Sequence, residues 1–206
     1  MKKTRLVIVR HAQSESNKAR FFAAATNVNL TELGREQAQK TADFLADYTF
    51  DRAYSSPMAR VLQTAAPIMA GRELTLEQNA DLREINGGMW EGMPYTEIDE
   101  KYPAERELWR NSFANCVCPG GESVCEIDWR VRDAFLKIIR DNPEKTVLVT
   151  THATPIRLIT NFFLGKSLWQ IDSTPWADNA SVTVVDCFED GTYEMVLQAH
   201  NGHLTA

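Results

Sequence analysis

Two short apolar runs constrain this chain most: Arg5-Leu6-Val7-Ile8-Val9 leads straight to Arg10-His11, and Thr146-Val147-Leu148-Val149-Thr150 leads to Thr151-His152. Both are rich in β-branched residues and lack polar–apolar alternation, the pattern of strands covered on both faces. Such strands need a layer of helices on each side, and the sequence supplies them. Thr31 caps a helix carrying Leu33, Ala38, Ala42 and Leu45 at helical spacing. Ser56, with Pro57 behind it, marks the start of another carrying Met58, Val61, Leu62, Ala65 and Ile68 and closed by Gly71. From Glu122 the helical period returns with Val124, Ile127, Val131, Phe135 and Ile138, and Thr154-Pro155 opens a helix with Ile156, Ile159 and Phe163, ended by Gly165. Residues 50–54 read as a short strand, and residues 181–186 and 193–199 flank Glu189-Asp190-Gly191 as a hairpin. The expected fold is α/β, a three-layer α/β/α sandwich with a mainly parallel central sheet.

One stretch has a different character. Between about Ile85 and Gly121, Gly87-Gly88, Pro94, Pro103 and Pro119-Gly120-Gly121 break the chain into irregular and short helical pieces, read as a lid-like insertion within a single domain, 1–206. The net charge of −6 argues against a dedicated nucleic-acid binder, whose footprint is a basic face, so an anionic substrate must be drawn by a local arginine cluster. Met1-Lys2-Lys3 imitates the start of a signal peptide, but Arg10 and His11 interrupt the apolar run far short of a bilayer span, and no membrane association is expected. The cysteines, at 116, 118, 125 and 187, have no Cys-x-x-Cys spacing, so neither a disulfide nor a metal is expected and a reducing, cytoplasmic compartment is. Cys116-Val117-Cys118 reads as an exposed, inert pair. Oligomeric state is left open.

In open α/β sheets ligands bind outside the carboxyl ends of the strands, which places both histidines at one site. The segment Arg10-His11-Ala12-Gln13-Ser14-Glu15-Ser16-Asn17 sets a cation and an imidazole at a strand end, followed by small polar residues and backbone donors suited to an oxyanion. In Thr151-His152-Ala153-Thr154-Pro155-Ile156-Arg157 the histidine stands where helix N-terminal amides favour negative charge.

These segments resemble the two signature motifs of the histidine phosphatase superfamily, which also holds the cofactor-dependent phosphoglycerate mutases. Leu30-Thr31-Glu32-Leu33-Gly34, Tyr54-Ser55-Ser56-Pro57-Met58-Ala59-Arg60 with Gln63-Thr64-Ala65, Leu82-Arg83-Glu84 through Trp90-Glu91-Gly92, and Pro119-Gly120-Gly121-Glu122-Ser123 resemble family segments in family order, over roughly residues 5–203. The resemblance implies that His11 is the nucleophile, that Arg10 and Arg60 clamp phosphate, that His152 donates to phosphoryl oxygens and that Glu84 is the general acid. It makes Asn17 and the backbone of Ala153 further phosphate contacts.

Phosphoryl chemistry asks for the same parts. An anionic phosphoryl group repels nucleophiles until arginine forks neutralise it, guanidinium charge keeps a nearby imidazole unprotonated, and one carboxyl serves the leaving group and then the attacking water. No metal or cofactor is called for. Glu15, Glu91 and Glu97 are alternatives to Glu84. Phe21, Phe22, Trp90, Trp109 and Trp176 are candidates for either a pocket wall or the core.

The residue after each catalytic histidine is commonly glycine in this family, and here it is Ala12 and Ala153. If either position needs a positive φ, alanine strains it by roughly 1–2 kcal/mol; if only a backbone amide is needed, alanine serves equally well. A cysteine-based phosphatase is disfavoured, because Arg130 and Arg132 fall one position short and one long of the required spacing from Cys125, and a serine hydrolase lacks its Gly-x-Ser-x-Gly elbow. The expected activity is hydrolysis of a small phosphomonoester through a phosphohistidine. A phosphoglycerate mutase, disfavoured by the compact insertion, and a silent phospho-ligand binding module are the alternatives.

Overall fold

The computed structural model describes residues 2–205; Met1 and Ala206, the two ends of the expected domain, lie outside the described residues. The two histidine-ending runs form β1 (Lys3–Arg10) and β4 (Thr146–Thr151), adjacent and parallel, with Arg10 opposite Thr151. β2 (Arg52–Ser55) pairs parallel with β4, and a short β3 (Leu76–Gln78), not foreseen from sequence, pairs parallel with β2. The predicted hairpin is β5 (Val182–Phe188) and β6 (Tyr193–His200); β5 runs antiparallel to both β1 and β6. The order is β3-β2-β4-β1-β5-β6, so β5 alone opposes the common direction.

Alternate residues of β1 feed two separate cores, which is what makes the fold three-layered. Val7 and Val9 pack with Ala42 of α2 (Glu32–Phe44) and Ile68 of α3 (Ala59–Met69). Leu6 and Ile8 pack on the other face with Val131 and Phe135 of α6 (Val124–Asp141) and Ile156 and Ile159 of α7 (Ala153–Phe163). Three short helices complete the set: α1 (Glu15–Ala19), α4 (Tyr95–Lys101) and α5 (Pro103–Asn111).

Helix α2 starts as expected, with the Thr31 side chain accepting from the Gly34 amide, but Leu33 is 48% exposed because it lies on the outward side of that first turn. α3 departs further: it begins at Ala59 without a side-chain cap, and Ser56, expected as that cap, is buried elsewhere. The stretch 85–121 contains α4 and α5, and its Trp90, Ile98 and Phe113 share the core of Leu6 and Ile8. Cys116 and Cys118 are buried, not exposed: both side chains join the core of Leu6 and Ile8 while Val117 between them is exposed; hydrogen bonding to Cys116 and burial push the Cys118 thiol up, which keeps it protonated. No helix among the described residues is long and apolar enough to cross a membrane.

Candidate active site

The ends of β1 and β4 converge because the two strands are neighbours in register. The His11 amide continues the ladder onto the Thr151 carbonyl at 2.9 Å, and the two imidazoles meet edge to face with centroids 5.2 Å apart. Beyond His11 the chain leaves the sheet: the Ala12 amide donates to Thr64 Oγ1 at 3.0 Å, and the Ala12 methyl packs against Leu30, Ala38 and Ala180. His152 is the cap residue of α7, in extended conformation, and Ala153 is its first helical residue. Neither alanine has a positive φ. The strain reading is therefore excluded.

Hydrogen bonds fix both tautomers. His11 Nδ1 lies 2.8 Å from the Ala12 carbonyl, an acceptor only, so Nδ1 carries the proton and Nε2 keeps its lone pair. For His152, Arg60 Nη2 is 3.2 Å from Nδ1 and Ser56 Oγ is 2.8 Å from Nε2. A guanidinium only donates, so Nδ1 accepts and Nε2–H donates to Ser56.

Arg60 projects from the first turn of α3 and is 1% exposed. Besides His152 it donates to the carbonyls of Ala23, Ala24 and Thr26. Arg10 donates through Nη1 to the Ala177 carbonyl at 2.5 Å, while its buried Nε has no partner among the described residues. A buried, unpaired guanidinium N–H invites an anionic acceptor.

Glu84 follows a turn of 3₁₀ helix and reaches the N-terminus of α7. Its Oε1 accepts from the Ile85 amide at 2.8 Å and its Oε2 from the Thr154 amide at 3.3 Å. The alternative carboxylates serve elsewhere: Glu91 accepts from the amides of Ala24, Ala25 and Thr26, Glu97 pairs with Lys101, and Glu15 accepts from the Asn29 amide. Asn17 is the third residue of α1 and completes the capping box of Ser14, its Oδ1 accepting from the Ser14 amide and from Asn179 Nδ2.

Arg10, His11, Asn17, Arg60, Glu84 and Ala153 all line one pocket of about 260 Å³. Its outer wall is aromatic: Phe21, Phe22, Tyr95, Trp109 and Trp176 line it, whereas Trp90 is buried in the core. The sequence reading missed four contributors. Ser56 and Thr64 both lie inside family-like segments, but Ser56 has the local chemistry of a helix start and Thr64 carries no signal of its own. Tyr95 sits in a helix too short for a periodic signal. Asn179, whose Nδ2 donates to the His11 carbonyl at 3.0 Å, lies in a loop with no pattern at all.

His11 and His152 are 4% and 0% exposed. Both are held well below the ordinary imidazole value, first by burial and then by Arg60; Arg10 adds to this at both, and His11 itself acts on His152. The guanidinium charge expected from sequence does lower both, but loss of water ranks ahead of it. Stability should register this. With folded values depressed, the unfolded chain binds protons that the native state refuses once pH falls below about 6.5, so stability is fully present above that value and declines below it. Between about pH 8 and 5.5 each histidine should cost on the order of 1 kcal/mol. His203, also lowered by burial, adds in the same direction. Urea melts across that range should show the loss, and His11→Gln should reduce it by nearly half; a flat profile contradicts the assignment.

A family model described as the histidine phosphatase superfamily (branch 1) matches residues 6–200. Phosphoserine phosphatase 1 of Hydrogenobacter thermophilus is 33% identical over 184 residues, covering 88% of this chain and 85% of that protein. A 2,3-bisphosphoglycerate-dependent phosphoglycerate mutase of Cytophaga hutchinsonii is 33% identical over 159 residues, covering 75% and 74%. Among solved structures, Bacillus stearothermophilus YhfR superposes with a TM-score of 0.93 at 27% identity, over 98% of this chain and 99% of that one. With the matched residues 6–200 spanning the sheet and both histidine motifs, the chain belongs to the histidine phosphatase superfamily.

Proposed function

We propose that this chain hydrolyses a small phosphomonoester through a phosphohistidine on His11. The observation that carries the reading is the Nδ1–H of His11 engaged by the Ala12 carbonyl, which leaves Nε2 unprotonated in a pocket shared with Arg10, Arg60 and Glu84. The two guanidinium groups and the Ala153 and Asn17 side of the pocket neutralise and orient the phosphoryl oxygens. His11 Nε2 attacks phosphorus, the bond to the ester oxygen breaks, and Glu84 gives that oxygen a proton. Glu84 then takes a proton from water as the water oxygen attacks phosphorus, the P–N bond breaks, and phosphate leaves with His11 neutral again. His152 acts on the phosphoryl group through Arg60: its Nε2–H is held by Ser56 Oγ and its Nδ1 accepts from the Arg60 fork, which orients that guanidinium.

The mutase alternative is less favoured, because returning the group to a bound sugar acid requires cations for that acid's other anions, and the cations lining the pocket are Arg10 and Arg60. A silent binding module loses its motive once Ala12 and Ala153 are free of strain. A cytoplasmic setting and a small-molecule partner, with no nucleic acid, belong to the same reading. The stretch 85–121 acts in it as a wall and lid over the aromatic end, through Tyr95 and Trp109.

Glu84→Gln tests the scheme with 2,4-dinitrophenyl phosphate, whose leaving group needs no proton. Formation of the intermediate should survive while its hydrolysis slows by about 10²-fold or more, so an acid-labile phosphoryl group accumulates on His11. Label on another residue contradicts the proposal. EDTA should leave turnover of the native enzyme unchanged.

A further inference from the structure

The pocket has two unlike ends. Of its lining, His11 and Arg60 are buried, with Arg10 beside them; Phe21, Tyr95, Trp109 and Trp176 are the partly exposed residues and form its mouth, with Phe22 buried behind them. Burial first, and then the Glu84 carboxylate, raise the Tyr95 hydroxyl, so that group stays neutral. The mouth therefore carries no charge of its own.

The arginines packed on these rings are engaged by protein partners. Arg106 and Arg110 border an adjoining groove along Tyr95, Trp109 and Trp176, but both pair with Asp99, at 2.7 and 2.5 Å. Arg106 also lies flat against Tyr95 at 5.5 Å. Arg157 sits 4.3 Å from the Trp176 ring centroid, with its Nε donating to the Thr174 carbonyl. These cations brace the aromatic wall.

The wall itself is preset. Trp109 and Trp176 are nearly parallel, 15° between planes and centroids 6.1 Å apart, and Trp109 meets Phe22 edge to face at 5.7 Å. Trp176 is 39% exposed yet held in place by Arg157, so flat apolar surface is presented to solvent at the mouth. Aromatic faces carry negative potential, which repels a carboxylate and attracts ring edges. The volume of about 260 Å³ lies at the small end of ligand sites, room for a phosphoryl group and a small ring system.

We infer that the group esterified to phosphate in the substrate is flat, apolar and without negative charge, an aromatic or aryl-methyl phosphomonoester and not a phosphorylated amino or sugar acid. This rests on the phosphatase reading and departs from the substrates for which the phosphoserine and phosphoglycerate relatives are named.

The test compares benzyl phosphate with O-phosphoserine, 3-phosphoglycerate and ethyl phosphate. All are alkyl esters, so leaving-group ability does not decide the outcome. Benzyl phosphate should be preferred over each of the others by about tenfold or more in kcat/KM, the scale set by burying and stacking one ring. Trp176→Leu, at a partly exposed position where folding can be checked by circular dichroism, should shrink the benzyl-to-ethyl ratio about fivefold, chiefly through KM. Turnover of phosphoserine or phosphoglycerate equal to or faster than that of benzyl phosphate overturns the inference and leaves the phosphatase reading standing, as does an unchanged ratio in Trp176→Leu. Absence of His11-dependent hydrolysis of every ester overturns both.

Discussion

Replacing His11 with alanine should lower kcat on any phosphomonoester by on the order of 10⁴- to 10⁶-fold, the scale seen when a covalent nucleophile is removed. The reason is specific to this site. Arg10 and Arg60 neutralise the phosphoryl group but cannot attack it, and Glu84 has no nucleophile to serve until a phosphohistidine exists. Two further measurements separate loss of the nucleophile from loss of the fold. Phosphate should still inhibit residual turnover or be seen to bind, because the Nε of Arg10 and the fork of Arg60 are unaltered. Exogenous imidazole, which fits the space the ring vacates, should restore part of the rate. A variant within tenfold of the parent would remove His11 from the role given to it.

The parts of this molecule that could be read from sequence are those where one residue's type and the chain direction settle the matter. Leu6 through Val9 and Val147 through Val149 are covered on both faces, and a continuous apolar run rich in β-branched residues suits such a position, so the strands and the histidines at their ends are legible. The helical stripe of α6 was equally plain, because all five of its expected core positions face the sheet. Ser56 shows where that legibility stops. A serine before a proline has the local chemistry of a helix cap, and local chemistry gave a start that the chain does not use. The hydroxyl goes to His152, a partner 96 residues away, and a bond across that separation leaves no trace in local pattern. Asn179 hides for the same reason, and so do Phe21, Trp109 and Trp176, which come from three separate segments and become a pocket wall only on folding.

Burial and charge divide the work at the two imidazoles. Because burial alone lowers both, the site is primed before any arginine is considered, and the linked cost is the acid-sensitive stability described above. The arginines add a second depression and supply what burial cannot, donors for the phosphoryl oxygens. A neutral buried pair beside two buried cations is an arrangement that an entering dianion relieves, so substrate charge is drawn to the place where it reacts.

Arg60 is where the two effects can be pulled apart. Arg60→Met removes charge and donors together and should reduce kcat by about 10²- to 10³-fold, the usual penalty for losing a donor to the developing transition-state charge. Its pH profile should also move. Arg60 lowers both histidines, so without it their values rise, protonated His11 appears at a higher pH, and the acid limb of kcat/KM shifts upward. That limb should remain below the ordinary imidazole value, because burial, the larger cause, is still in place. Arg60→Lys keeps the charge and loses the planar fork that spans His152 and the carbonyls of Ala23 and Ala24. It should return most of the acid limb toward its original position while regaining only part of the rate. A loosened 23–26 loop alone would change KM and thermal stability but leave the acid limb unmoved. An unshifted limb in Arg60→Met, or a loss of less than tenfold, would therefore assign Arg60 to holding that loop and not to the phosphoryl group.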